Sequence, residues 1–590
     1  MSRQILTTIL ALIRSVIFEI LVVCVLLLTF YNYIGIADTH IGADGEGYYE
    51  YLPSVFIHKD INRKDSDPKK NPELFARTGS MGVYADLDSI TRVNKYPCGT
   101  ALLQSPFFFY TRLATPSDGT NRDGYQQPYQ DAVFYSAIFY LFLSLWFLKK
   151  LLLRYEIKPY IIVLLQLFLA LATSVTNYVH QDAAFSHVYS LFAITAFFYC
   201  VKSYFSGYRA SHLIWAFVLL GLIIILRNVN VLVILFIPFL AGSGGNLKAG
   251  VLATFRNFKA LFSGMALTVA IISIQCISWY LQTGKFFVYS YPGEGFNFSD
   301  PHFSDILFSY RKGLFIYAPV LFISLFGLIS LLREREFYLF FSWICFFLIL
   351  TYVLSSWHSW YYGGSFGLRA YIDFYAIFFV LFALLLNRSR RWVQGIILIP
   401  ALITIPLNLV QNYQYRNYIL HWFNMNETNY WKVFLHQEKQ FEGILWKREF
   451  NYDYYDNVKE ITIDKAELGK DTLKQFYEIH SSDIPGFHKV SIIRISLEND
   501  FDEALDGKLE VFITDSVSGL FTYTYSPTLL HFADGPLNQY GTGTYPCEIP
   551  DNTYDTATGQ QSLRFRVQSG RSRTKVALKN IKISFLVLKS

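Results

Sequence analysis

Two carboxylates set among glycines, Asp44-Gly45-Glu46-Gly47, follow the first long apolar run of this 590-residue chain. Glycine on both sides permits tight turning and close backbone approach. A carboxylate there could act as general base toward a hydroxyl or give oxygen ligands to a divalent cation; the same pattern also suits a plain surface turn. A second acid, Asp182, shares a short connection with His180, Ser186 and His187. Ionisable groups at a membrane surface are functional candidates, although Asp182 could equally cap a helix and the imidazoles could snorkel. Cationic groups come in three places: Arg227 in Arg227-Asn228-Val229-Asn230, Lys312 in Tyr310-Arg311-Lys312-Gly313, and Arg369 at the end of Trp357-His358-Ser359-Trp360-Tyr361-Tyr362-Gly363-Gly364-Ser365-Phe366-Gly367-Leu368. A guanidinium is a planar fork that matches phosphate bidentately. His358, Trp360 and Tyr361 could line a sugar or phosphate site, since aromatic rings stack on sugars; a bilayer-interface belt is the alternative. Glu46 and His187 are the candidates for holding a cation, with no cofactor otherwise indicated.

The elements that must position these groups are set by composition. Hydrophobic residues make up 53% and charged residues 16% of the chain, with a mean hydropathy of +0.28. A soluble domain carries about 25% charged residues, so lipid must be part of the solvent. A span needs about 20 apolar residues, and such runs fall near 15–36, 129–149, 159–178, 184–204, 212–226, 228–241, 260–282, 313–332, 337–356, 369–387 and 393–413, about eleven transmembrane helices. The first, too long for a cleavable signal and followed by no small-residue cleavage site, reads as a signal anchor. Arg and Lys cluster at 149–158, 202–209, 248–259, 333–335 and 388–391. These are alternate loops, and the positive-inside rule puts them with the N-terminus in the cytoplasm. This alternation holds only if 212–241 is two short spans meeting at Arg227, which places that charge at the outer interface. Loops 37–128 and 285–312 and the C-terminal region then face outward. The stretch from Cys98 to Leu113, interrupted by Pro106, is too short for a span and suits an interfacial or re-entrant helix.

The periodicity changes toward the C-terminus. "VSIIRISLE", "GKLEVFITDS", "FTYTYSP", "SLRFRVQS" and "NIKISFLVL" alternate at period two between polar turns, which predicts an antiparallel all-β sandwich over 441–590 after a linker at 416–440. The expected architecture is thus an α-helical polytopic membrane domain, 1–415, followed by an extracytoplasmic β-sandwich domain. Cys98 and Cys547 lie outside the apolar runs and could pair in an oxidising compartment. The net charge of +6, placed in short loops, makes no case for nucleic acid.

Taken together, Asp44, "KYPCGTALLQSPF" (Lys95–Phe107), "SHVYS" (Ser186–Ser190), "RKGLFIYAPV" and "WYYGGSFGLR" resemble, in order and topology, the GT-C superfamily of membrane glycosyltransferases. The likeness is to the protein mannosyltransferase and aminoarabinose transferase branch and its bacterial relatives, over roughly 15–415. The resemblance implies transfer of a sugar from a polyprenyl-phosphate carrier to a glycan, lipid or protein acceptor on the outer face of, by the same likeness, a bacterial inner membrane. It implies that Asp44 and Asp182 are catalytic acids and that Arg369, Arg227 and Lys312 hold the carrier phosphate. Some relatives have two adjacent acids after the first span, where this chain has Asp44-x-Glu46. An envelope polysaccharide ligase or polymerase, a lipid or sugar transporter, and a non-catalytic scaffold are the rival classes.

Overall fold

The computed structural model describes residues 3–37, 39–61, 83–87, 91–115, 123–445, 455–468, 473–499, 508–515, 521–525, 542–548, 561–568 and 576–589. They form two compact units. The first takes in the chain to residue 61, 83–416 and 425–435; the second takes in 417–424 and what is described from 436 onward.

The first unit is helical, and each of the apolar runs expected to span a membrane is realised in helix. Against about eleven expected spans, seven helices among the described residues are long and apolar enough to cross a bilayer, and an eighth is reached if the bent pair Asn228–Ala241 and Gly244–Arg256 is one span; the apolar helices Pro159–Leu171, Ala210–Leu226 and Pro319–Arg333 are shorter. The chain is therefore a multi-pass integral membrane protein. The helix Ala210–Leu226 stops at Arg227, whose backbone is extended (φ −156°, ψ 121°), and a 3₁₀ helix Asn228–Phe236 follows. The break has a polar cause: Arg227 and Asn230 both send side-chain N–H groups to a buried carboxylate, Asp373. The segment from Cys98 forms one helix, Gly99–Ala114, with Pro106 inside it. At its start a Cβ on Gly99 would fall 2.4 Å from the Ile225 carbonyl oxygen, so only glycine allows the two backbones to meet just before the break at Arg227.

The first span is fastened at both ends. Near its start Glu19, fully buried, accepts from Lys149 Nζ at 2.7 Å and from Gln166 Nε2 at 2.7 Å. At its finish the helix passes into a π turn, Phe30–Ile34, and leaves carbonyls without helical partners. Arg416, in the last turn of Arg391–Arg416, donates to the Ile34 carbonyl at 3.1 Å and to the Ile36 carbonyl at 2.6 Å. A guanidinium at a helix C-terminus both satisfies and electrostatically complements such carbonyls.

The second unit contains a β-sandwich. After a small hairpin in the first unit, β1 (Tyr84–Asp86) and β2 (Arg92–Asn94), its strands are β3 (Tyr455–Leu468), β4 (Leu473–His480), β5 (Val490–Asn499), β6 (Lys508–Asp515), β7 (Phe521–Tyr525), β8 (Thr542–Glu548), β9 (Gln561–Gln568) and β10 (Val576–Leu588). They form two four-stranded sheets in the orders β3-β10-β5-β8 and β4-β9-β6-β7, with every described pairing antiparallel. Ile581, Ile583 and Phe585 of β10 pack with Ile493 and Ile495 of β5 and with Val511, Ile513, Leu563 and Phe565 of the other sheet. The five alternating segments read from sequence are all strands. Three others, β3, β4 and β8, were not signalled. In β3, Lys459, Glu460, Thr462 and Asp464 interrupt Val458, Ile461 and Ile463, so the apolar face is diluted by charge. Cys98 and Cys547, considered as a pair from sequence, are both free thiols, each buried in its own unit, Cys547 within the sandwich core.

Removing one partner of a buried ion pair leaves the other charge uncompensated, at a cost of about 3 kcal/mol. Lys149→Met should therefore lower the unfolding temperature of the purified protein in detergent, and adding Glu19→Gln should recover most of the loss. Unchanged unfolding of the single variant would mean that Glu19 does not depend on Lys149.

Candidate functional site

The chain between the first span and Asp44 is held by side chains, not by regular structure. Gln130 Oε1 accepts from the backbone N–H groups of His40 and Ile41 at 2.8 and 2.9 Å. His40 Nδ1 lies 2.5 Å from the His180 carbonyl, and the Ala37 N–H donates to His180 Nε2 at 3.1 Å. His180 also packs on Phe30, with ring centroids 4.4 Å apart. One imidazole of the His180–His187 connection is thus a fastener for the strand of chain that delivers Asp44. A short helix, Asp44–Tyr49, begins at the acid. Gly47 within it has no space for a side chain, since a Cβ would fall 2.0 Å from the Tyr96 ring. The Gly47 carbonyl accepts from Asn94 Nδ2 at 2.8 Å, which ties the acidic motif to the start of the "KYPCG" segment.

Asp44 meets Arg369. Asp44 Oδ2 and Arg369 Nη2 are 2.5 Å apart, with side chains 28% and 11% exposed. The guanidinium lies over the Phe185 ring, 5.1 Å from its centroid, and its other terminal nitrogen, Nη1, is buried without a hydrogen-bond partner. Both residues line a cavity of about 690 Å³. Its wall continues through His187, Arg227 and His358, and through the aromatic residues Tyr48, Tyr96, Tyr291, Trp357 and Tyr362, with Glu294 as a further acid. Glu294 accepts from Lys95 Nζ at 2.8 Å and stands 3.9 Å from His358 Nε2.

Behind this wall lies Asp373, fully buried in the span that begins at Arg369. Its Oδ1 is 2.8 Å from His187 Nδ1, and its Oδ2 accepts from Asn230 Nδ2 at 2.7 Å and Arg227 Nη1 at 3.2 Å. Arg227 is thus engaged with a protein carboxylate, at the polar break that the sequence places there.

The remaining candidates fall around the cavity. Asp182 is outside its wall, half-buried, and accepts from Asn177 Nδ2 at 2.6 Å. Lys312 is buried and lies outside the wall too; it donates to Ser365 Oγ at 2.8 Å and to the Ser365 carbonyl. Burial holds its ammonium well below the usual lysine range. Trp360 stacks on His302 at 5.4 Å, and Arg311 lies over the rings of Trp360 and Tyr361 at 5.9 and 5.2 Å; neither ring lines the cavity. Glu46 is buried within the Asp44–Tyr49 helix. Among the described residues no three His, Cys, Asp or Glu side chains converge as metal ligands, and His187 commits one ring nitrogen to Asp373. Glu46 and His187 are not joined there by a third such side chain, and no chemistry is assigned to a metal.

Asp373, Asn230, Glu294 and the tyrosines of the wall were not singled out from sequence. For Asp373 a signal existed, since a lone carboxylate in an apolar run is a functional candidate by default. For Glu294 it lay in Gly293-Glu294-Gly295, which repeats the glycine-flanked pattern of Asp44.

Burial pushes the Asp182 carboxyl up to about 6, against the opposing effects of the Asn177 amide and Arg369. Between about pH 4 and pH 6 the folded chain therefore binds more protons than the unfolded chain, and stability falls as pH rises through that window. Asp182→Asn should abolish this decline and raise stability at pH 7 by on the order of 1–2 kcal/mol. Parallel unfolding curves for the two proteins across pH 4–7 would remove this assignment.

No family model matches the sequence, and no curated protein matches it. Among solved structures the chain is similar to the Archaeoglobus fulgidus oligosaccharyltransferase in its apo form, at 12% identity and a TM-score of 0.39 over 68% of this chain and 55% of that one. The same enzyme with a tethered acceptor peptide gives 10% identity and a TM-score of 0.40 over the same shares. The arabinosyltransferase EmbB from Mycobacterium smegmatis is matched at 10% identity and a TM-score of 0.32, over 97% of this chain and 64% of that one. The chain spans about half the length of the oligosaccharyltransferase, 55%.

Proposed function

We propose that this protein is an integral membrane glycosyltransferase that moves a hexosyl or pentosyl group from a polyprenyl-phosphate carrier to a hydroxyl-bearing acceptor, a glycan, lipid or protein, on the extracytoplasmic face. The observation that carries the reading is the Asp44–Arg369 pair in the cavity wall, with the second nitrogen of Arg369 buried and unpartnered. A buried guanidinium N–H without an acceptor is costly. A phosphate monoanion entering the cavity would satisfy it and compete with Asp44 for the rest of the fork.

Charge then does the chemistry. Arg369 stabilises the negative charge that develops on the departing phosphate oxygen. Asp44, released from part of its ion pair by that phosphate, accepts the proton of the acceptor hydroxyl as its oxygen attacks the anomeric carbon. The anomeric carbon–oxygen bond to phosphate breaks, its electron pair staying on the carrier phosphate, and a single displacement inverts the anomeric centre. Asp182, half-buried and within electrostatic reach of Arg369, adds to the field that holds the guanidinium. The tyrosines and Trp357 supply flat faces of the kind that stack on sugar rings.

Asp44→Asn should reduce transfer by about 10²–10⁴-fold, the usual worth of general base catalysis. The same variant should bind farnesyl phosphate at least as tightly as the parent, because the carboxylate that competes for Arg369 is gone. The measurements are lipid-linked sugars and envelope glycans in cells, and farnesyl phosphate binding to the purified full-length chain. Wild-type transfer by Asp44→Asn would sink the base assignment.

A further inference from the structure

Resting on that reading, we infer that His187 recognises a hydroxyl of the transferred sugar, as an acceptor-only imidazole whose tautomer is set by Asp373. Asp373 is fully buried and receives Asn230 Nδ2 and Arg227 Nη1 on Oδ2. Its Oδ2 is taken by two N–H donors, the arrangement of a carboxylate that acts as acceptor. The nitrogen 2.8 Å from its Oδ1, His187 Nδ1, must therefore carry the proton. Arg227 Nη1 also stands 3.3 Å from that nitrogen, but both are donors, so this is proximity and the arginine's bond is the one to Asp373. A neutral imidazole with its proton on Nδ1 has Nε2 as a bare acceptor. His187 lines the 690 Å³ cavity together with Arg369 and Asp44, so that nitrogen is its remaining polar contact for a ligand.

The three groups differ in what they can bind. Arg369 offers donors and suits the phosphate. His187 Nε2 is an uncharged acceptor, which repels phosphate oxygens and suits O–H. The hydroxyl closest in sequence of bonds to a carrier phosphate is one on the sugar that phosphate carries. The arrangement also accounts for the break in the helix at Arg227: Arg227 and Asn230 hold Asp373, and Asp373 orients the imidazole. Asp373 is thus a positioning residue, and His187 is the group that meets the sugar.

Two substitutions separate recognition from mere support. His187→Asn keeps an N–H near the position of Nδ1 for Asp373 but has no atom at the position of Nε2. His187→Gln keeps an acceptor near Nε2 and loses the bond to Asp373. Affinities of the purified full-length chain are measured for farnesyl phosphate alone and for farnesyl-phosphate-linked mannose, glucose and arabinose. His187→Asn should weaken binding of the preferred lipid-linked sugar by about tenfold, the worth of one hydrogen bond, with farnesyl phosphate unaffected, and His187→Gln should retain more of it. The order His187→Asn equal to parent, with His187→Gln impaired, would mean a structural clasp and overturn the inference alone. Failure of the parent protein to bind any of the four lipids would overturn the glycosyltransferase reading and the inference with it.

Discussion

The ion pair between Asp44 and Arg369 imposes the main constraint on the membrane unit. A guanidinium taken out of water needs a counter-charge and acceptors for its N–H groups, and here a single carboxylate 2.5 Å away supplies only part of that need. The carboxylate comes from the segment after the first span and the guanidinium from the entry to the span Arg369–Arg388. Bringing them together demands that both be placed to within a fraction of an ångström. Much of the neighbouring polar structure can be understood as meeting that demand.

On the acidic side, the fixing contacts belong to residues of little chemical promise. Gln130, His180 and Arg416 form hydrogen bonds to backbone groups between the first span and Asp44, and the His40 ring reaches out to the His180 carbonyl. A connecting segment without helix or sheet must satisfy its polar groups with side chains or water, and inside a membrane protein side chains are the available means. On the basic side, Asp373 follows Arg369 by one turn and draws in His187, Asn230 and Arg227. That second cluster interrupts the helical run between Ala210 and Phe236. Helices broken by polar groups near a cavity are a recurrent way for membrane proteins to build a binding site.

The two units differ in how they are stabilised. The helical unit combines an apolar core with a small number of buried ionic clasps, Glu19–Lys149 at one end of the first span and Asp44–Arg369 beyond the other. The sandwich relies on two facing sheets whose inward side chains are Ile, Val, Leu and Phe, the ordinary solution for antiparallel sheets with one solvated face. Its ion pairs, such as Glu460–Lys582, are exposed and contribute little.

How much was legible depends on whether the signal is local. Apolar runs marked where helix forms, though not which helices are long enough to span, because the absence of water in lipid leaves helix as the way to satisfy a continuous backbone. The alternation of basic loops located the break at Arg227, and period-two alternation located five strands. Strands β3, β4 and β8 escaped because polar residues dilute or interrupt their alternation. Site residues were legible where an acid, an arginine or an aromatic cluster stood out in an otherwise apolar context, as with Asp44, Arg369 and His358. Sequence could not say that Arg227 binds a protein carboxylate, that Lys312 is held by Ser365, or that Trp360 and Tyr361 lie off the cavity wall. Those facts depend on which side chains meet across 50–190 positions of chain. Composition and periodicity decided that this is a membrane protein with a β-rich tail, since both act along the chain; tertiary packing alone decided which charges neutralise one another and which are left facing a cavity, because pairing is a property of space.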